Sequence, residues 1–179
     1  MFKTIAIVLA VAVFVFIAAV LVLASTKPDT FRVQRQVAIN APPEKIFPLL
    51  NDYRNWGGWS PYEKKDPAMK RSYSGPVTGK GAVYAWESEG GVGVGRMEIT
   101  ESSQPSRIRI NLDFTKPFET RNKVEFTIQP QGAASTVTWD MQGPAPLISR
   151  VMQVFFSMDK MVGKDFEAGL ADLKTAAEK

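Results

Sequence analysis

Asp159 is the acidic residue whose surroundings in the sequence most call for an explanation. Projected on a helix, it falls between Phe155 and Val162, inside an otherwise apolar stripe, where an unpaired carboxylate is costly. It must be paired, solvated or protonated. Arg96, Arg109 or Arg121 could reach it from preceding segments, as could a tyrosine or tryptophan donor. Two roles are open: a clamp between a helix and whatever it covers, or a ligand-orienting group or general acid with a raised pKa. Glu87, Glu98, Asp113, Glu125 and Asp140 sit on the polar side of alternating segments and read as a solvated face. No spacing among them sets up the acid pair that glycoside hydrolysis needs.

What the chain lacks narrows the chemistry further. Its 179 residues contain neither histidine nor cysteine. Disulfides, thiol nucleophiles, metal or haem sites built on those side chains, and Ser-His or Cys-His dyads are therefore excluded. Nothing in the sequence asks for a cofactor or a metal ion. The net charge of +4 is mild and accompanies no nucleic-acid-binding motif, so no nucleic-acid partner is expected.

Aromatic residues are concentrated in NDYRNWGGWSPYEKKDP, residues 51–67. Trp56 and Trp59 read first as a plug at the end of a core, with Gly57-Gly58 giving a tight turn, and second as the wall of a cavity. The run Glu89 to Gly95 is rich in glycine but opens no helix, so it reads as a hairpin corner rather than a phosphate cradle. The basic stretch containing Lys64, Lys65, Lys70 and Arg71 reads as a solvated loop, with contact to anionic headgroups as the lesser reading.

These groups have to be held by an ordered scaffold. Thr4 to Ala24 is an uninterrupted apolar run of the length that crosses a bilayer, too long for an ordinary cleaved signal core. Residues 1–26 are accordingly expected to form an N-terminal transmembrane signal anchor, 27–30 a linker, and 31–179 a domain on the extracytoplasmic side. Phe31, Val33, Val37 and Ile39 alternate with Arg32, Gln34 and Gln36, as in a strand buried on one face. Ala41 to Leu50 opens with prolines and Glu44, which favours a short helix. Period-two segments around Tyr84-Trp86, Met97-Ile99, Ile108-Phe114, Val124-Ile128 and Val137-Met141, separated by glycine and proline corners, predict an antiparallel meander of six to seven strands. From Leu147 to Ala177 the apolar period is helical, which predicts one long helix bent near Gly163 and Gly169. A curved sheet closed by that helix, in an α+β arrangement, buries both apolar faces.

This order of elements resembles the helix-grip fold of the SRPBCC superfamily, which includes START-like lipid-transfer domains and the polyketide cyclase/dehydrase group. VAINAPPEKIFPLLNDYRNWGGWSP looks like the first strand and helix pair of that group, ending in its Trp-Ser-Pro step at Trp59, Ser60 and Pro61. GRMEITES, the stretch from Lys116 to Gln153, and MDKMVGKDFEAGLADLK are similar to its middle strands and closing helix. The resemblance implies a cavity between sheet and helix that takes a hydrophobic small molecule or lipid. The expected ligand-binding residues are Trp59, Tyr84, Trp86, Met97, Leu112, Phe126, Trp139, Met152, Phe155 and Asp159, with no catalytic residue assigned. Beside this carrier reading stand a cyclase or dehydratase that uses Asp159, Tyr84 or an inward arginine, and an interaction module with a filled core. Through the N-terminal helix the membrane is a further expected partner.

Overall fold

The computed structural model describes residues 2–179; Met1, the first residue of the expected anchor, lies outside them. Helix α1 (Phe2–Ser25) carries no charge except Lys3 and is almost wholly exposed. At a rise of 1.5 Å per residue its 24 residues extend about 36 Å, enough to cross a bilayer. Its single buried residue is Ala24, at the end nearest the domain.

Strand β1 (Thr30–Ile39) follows, then α2 (Pro43–Asn51), a 3-10 helix (Tyr53–Gly58) and α3 (Pro61–Lys65). The remaining strands are β2 (Lys70–Ser74), β3 (Val83–Glu87), β4 (Val94–Ser103), β5 (Arg107–Lys116), β6 (Thr120–Gln131) and β7 (Ala134–Pro144). All seven form one antiparallel sheet in the order β1-β7-β6-β5-β4-β3-β2. Consecutive strands from β2 to β7 are neighbours, as short turns dictate; only β1 pairs out of sequence, with the last strand. Register shifts near Val94 and Ile99 in β4 interrupt its pairing with β5, and such irregularities bend a sheet. The result matches the expected α+β helix-grip architecture.

The C-terminal segment departs from expectation. It forms two helices, α4 (Leu147–Phe155) and α5 (Met158–Ala177), rather than one bent helix. Phe156 is extended, with φ −130° and ψ 136°, and the Ser157 side chain accepts from the Lys160 N–H at 3.2 Å, so a new helix begins there. The break falls well before the two glycines blamed for a bend. Those glycines serve close approach instead. A Cβ at Gly163 would meet the Arg35 guanidinium at 2.0 Å, and one at Gly169 would meet Pro61 Cδ at 2.8 Å and Trp139 Cζ3 at 3.0 Å. Helix α5 therefore lies tightly over β1, β7 and α3. It buries Phe166, Leu170 and Leu173 against the inward faces of the strands.

The aromatic cluster of residues 51–67 is largely interior. Trp59 is fully buried, and Trp56 nearly so. Their indole N–H groups donate to the carbonyls of Leu49 (3.0 Å) and Leu50 (3.1 Å), which closes the end of α2 without leaving polar atoms unmet. Trp59 also meets Phe126 and Trp139 edge-on, at centroid separations of 6.0 and 5.7 Å. Gly57 and Gly58 have negative φ and open space where a Cβ would stand, so the turn does not depend on them as glycines.

Candidate functional site

Alternation along β3 to β7 sends every second side chain to the concave face, and α5 covers only part of it. Between them is a cavity of about 490 Å³, within the range of small-molecule sites. Tyr84, Trp86 and Phe114 form one wall; Met97, Leu112 and Val124 form the floor; Trp139, Phe166 and Val162 close the side under α5. The mouth is bordered by Phe31, Val92, Pro117, Thr120, Pro144 and Met161. A second, shallower groove of about 350 Å³ runs along the outside of β2 to β4, past Lys70, Arg71 and Arg96.

The polar groups of the cavity fall into two sets. One set is already paired. Tyr84 donates its hydroxyl to Glu63, whose other oxygen accepts from Arg71 Nε at 2.7 Å, and Lys65 bridges to Asp165 at 2.6 Å. Burial, reinforced by the Glu63 hydrogen bond, pushes the Tyr84 phenol well above its ordinary pKa, and burial does the same to Tyr62. Both remain neutral donors across the physiological range. The other set, the indole N–H groups of Trp86 and Trp139 and Oδ1 of Asn122, has no partner among the described residues, and each lies on a residue more than nine-tenths buried. Buried polar atoms are rarely left unmet, because each costs roughly 1–3 kcal/mol. These three atoms are covered by neighbouring side chains and do not open on the chamber, whose exposed lining is apolar.

Of the expected ligand-binding residues, Tyr84, Trp86, Met97, Leu112 and Trp139 line this cavity. Trp59 and Phe126 pack behind its wall in the solid core. Met152 and Phe155 sit on α4, half exposed and away from the lining, because the chain breaks before α5. Asp159 is outside as well. The same break places it in the first turn of α5, where its carboxylate takes a two-pronged contact from Arg35: Nη1 to Oδ1 at 2.8 Å and Nη2 to Oδ2 at 3.0 Å. Arg35 Nε reaches Glu167 at 2.6 Å. The partner is thus Arg35 of β1, not Arg96, Arg109 or Arg121. The Arg35 hydrogen bond holds the Asp159 carboxyl below the usual carboxylate range, the reverse of a raised general acid. Arg35 was readable in the sequence: it occupies an inward position of β1, between Val33 and Val37, where a charge requires a partner.

Glu63, Asn122 and Thr120 were not among the expected lining residues. Asn122 carried the same kind of signal as Arg35, a polar side chain in phase with Val124 and Phe126 on the buried face of β6. Glu63 carried none, since α3 is too short to show a periodicity. The glycine corner after β3 is pinned by Asp66, which accepts from Ser88 Oγ (2.5 Å), Gly90 N (3.2 Å) and Ala68 N (3.1 Å). The Ser88 contact draws the Asp66 carboxyl below its ordinary pKa. This corner supplies Gly91 and Val92 to the mouth. Among the described residues no three acidic side chains converge to hold a metal ion.

A curved antiparallel sheet gripped by a C-terminal helix around an apolar chamber is the helix-grip class of α+β fold. Residues 30–178 match the family described as polyketide cyclase / dehydrase and lipid transport, and the chain belongs to that family. No curated protein matches it in sequence. Among solved structures it is similar to protein CV1439 from Chromobacterium violaceum (15% identity, TM-score 0.60, covering 86% of this chain and 99% of that one). It is also similar to the di-domain ARO/CYC BexL from the BE-7585A biosynthetic pathway (14% identity, TM-score 0.61, 88% of this chain and 53% of that one). A plant protein shares the fold too: ginseng major latex-like protein 151 from Panax ginseng (12% identity, TM-score 0.59, 85% and 100%). At these identities the likeness is one of fold.

Proposed function

We propose that this protein is a membrane-tethered binding domain that holds a hydrophobic small molecule or lipid between its sheet and α5, without chemical turnover. The observation that carries this reading is the apolar chamber of about 490 Å³ between the sheet and α5. Apolar burial, at roughly 25 cal/mol per Å², supplies the affinity. Membership of a family that includes lipid transport supports it. So does α1, an apolar helix long enough to cross a bilayer; in this reading it stays uncleaved as an anchor, puts the domain on the extracytoplasmic side and keeps the chamber beside the lipid phase. The carboxylates that line the chamber, Glu63 and Asp165, already have cationic partners, which leaves no free acid–base pair for a cyclase.

Native mass spectrometry of the full chain extracted in mild detergent tests this. The expected result is a co-purifying apolar species at one per chain, lost in the Leu112→Trp variant, whose larger side chain fills the floor. Bare protein alone, with no uptake of added phospholipid or fatty acid, would refute the carrier reading. A reporter fused after Lys179 reads the side of the membrane.

A further inference from the structure

Helix α4 is built the wrong way round for a helix of a water-soluble domain. On a wheel of about 100° per residue, Ile148, Met152 and Phe155 fall within about 60° of one another. All three are half exposed, at 50%, 48% and 55%, and no residue of α4 is buried. Leu147 and Phe156 extend the outward apolar surface at either end, at 48% and 60%. The polar side chains point the other way. Ser149, Arg150 and Gln153 are partly covered, together with Val151 and Val154, and Arg150 Nε and Gln153 Nε2 are shielded from solvent. A helix free in water turns its apolar stripe to the core; this one turns it outward.

The position of α4 says what covers that face. It packs against α1, and Ala24 is buried at the near end of that helix. Only four residues, Thr26 to Asp29, separate α1 from β1, a reach of at most about 14 Å. Asp29 is tied to the start of α4, because its carbonyl accepts from Ala145 N at 2.6 Å, two residues before Leu147. The headgroup zone on each side of a bilayer is about 5 to 8 Å deep, so α4 starts within or just above it when α1 spans.

The sheet places the cavity mouth at the same end. Thr30 pairs with Pro144 and Phe114 with Thr120, so the start of β1, the end of β7 and the β5–β6 turn lie together. That end carries Phe31, Pro117, Thr120 and Pro144 of the mouth, and Phe118, 57% exposed, projects from the turn.

We propose that α4 is an interfacial helix, its Ile148–Met152–Phe155 face seated in the headgroup and acyl boundary of the membrane that α1 crosses, so that the cavity exchanges its ligand directly with that leaflet. This rests on the reading that α1 is retained and that the cavity takes an apolar guest. The ligand is then a bilayer-resident lipid or isoprenoid-like molecule rather than a water-borne metabolite.

The absence of native cysteine makes the test direct. The full chain is prepared with single cysteines at Ile148, Met152, Phe155 and, as control, Gln131 at the opposite end of β6. Each is labelled with an environment-sensitive fluorophore and reconstituted in phosphatidylcholine–phosphatidylglycerol vesicles. The expected result at 148, 152 and 155 is a blue-shifted emission, loss of fluorescence when nitroxide-bearing lipid is included, and protection from iodide present on both faces. Position 131 behaves in the opposite way. Iodide quenching at 152 and 155 equal to that at 131 overturns the proposal. A co-purified lipid seen by native mass spectrometry alongside that outcome leaves the carrier reading standing and removes only the interfacial helix. Lipid-side quenching with a permanently empty cavity does the reverse.

Discussion

Replacing Trp139 by phenylalanine tests whether a donor buried behind the cavity wall is unpaired. Trp139 stacks on Phe166 with centroids 3.9 Å apart and planes 8° from parallel, and a phenyl ring retains that contact. The change removes three side-chain atoms, two carbons and the indole nitrogen. Loss of two buried carbons costs about 1.6 kcal/mol at roughly 0.8 kcal/mol each. Against this, the buried N–H has no partner among the described residues, and removing it relieves about 1–3 kcal/mol. The two nearly cancel, so the unliganded Trp139→Phe chain should unfold at almost the same urea concentration as the parent, within about 1 kcal/mol, with an unchanged denaturant slope. The assay is far-UV circular dichroism through a urea series on ligand-stripped protein in detergent micelles. A stability loss of about 2–3 kcal/mol, the sum expected if the N–H were already satisfied, would refute the reasoning that this donor is unpaired.

Two further outcomes follow from the geometry. The Asp66 carboxyl is depressed in the folded state, so its contribution is complete above the ordinary carboxylate pKa and is lost as pH falls through the lower folded value. Amide exchange at Gly90 and Val92 should therefore accelerate below about pH 4 while the β6–β7 turn is unaffected; uniform protection would remove Asp66 as the pin of the cavity mouth. Gly169→Ala gains about 1 kcal/mol of helix propensity but presses a Cβ into Pro61 and Trp139, an overpacking of about 1–3 kcal/mol. A net loss of up to about 2 kcal/mol is expected in thermal unfolding, and a net gain would show that α5 can lift away from the sheet.

Most of the scaffold was legible because it is written in periodicity. The alternation in Ile108–Phe114 and Val124–Ile128 specifies strands, the corners specify their order, and the run from Thr4 to Ala24 is long and apolar enough to cross a bilayer, as an anchor or a signal sequence would be. Half of the ten expected residues, Tyr84, Trp86, Met97, Leu112 and Trp139, do line the cavity, and they could be named because they share a face. Met152, Phe155 and Asp159 could not be placed, since a helical wheel carried across Phe156 is out of phase beyond the break. The Ser157 cap followed by Asp159 was the mark of a new helix start, and it was outweighed by the continuous apolar stripe. Glu63 and Asp66 act from the one-turn helix α3 and its C-cap, too short for any repeat to betray them, and are positioned by tertiary contact. Arg35 shows the opposite case: a charge in phase with buried neighbours announces a partner, though not which one.

Pairing β1 with β7 has a consequence for biogenesis. The first strand of the domain finds its hydrogen-bonding neighbour only when the last strand arrives, because Thr30 pairs with Pro144. At a synthesis rate of roughly 5–20 residues per second, the intervening stretch takes about 6–23 s to emerge. During that interval an open edge is exposed to any other extended segment nearby. A factor that shields nascent strands would act on this protein at its very first strand.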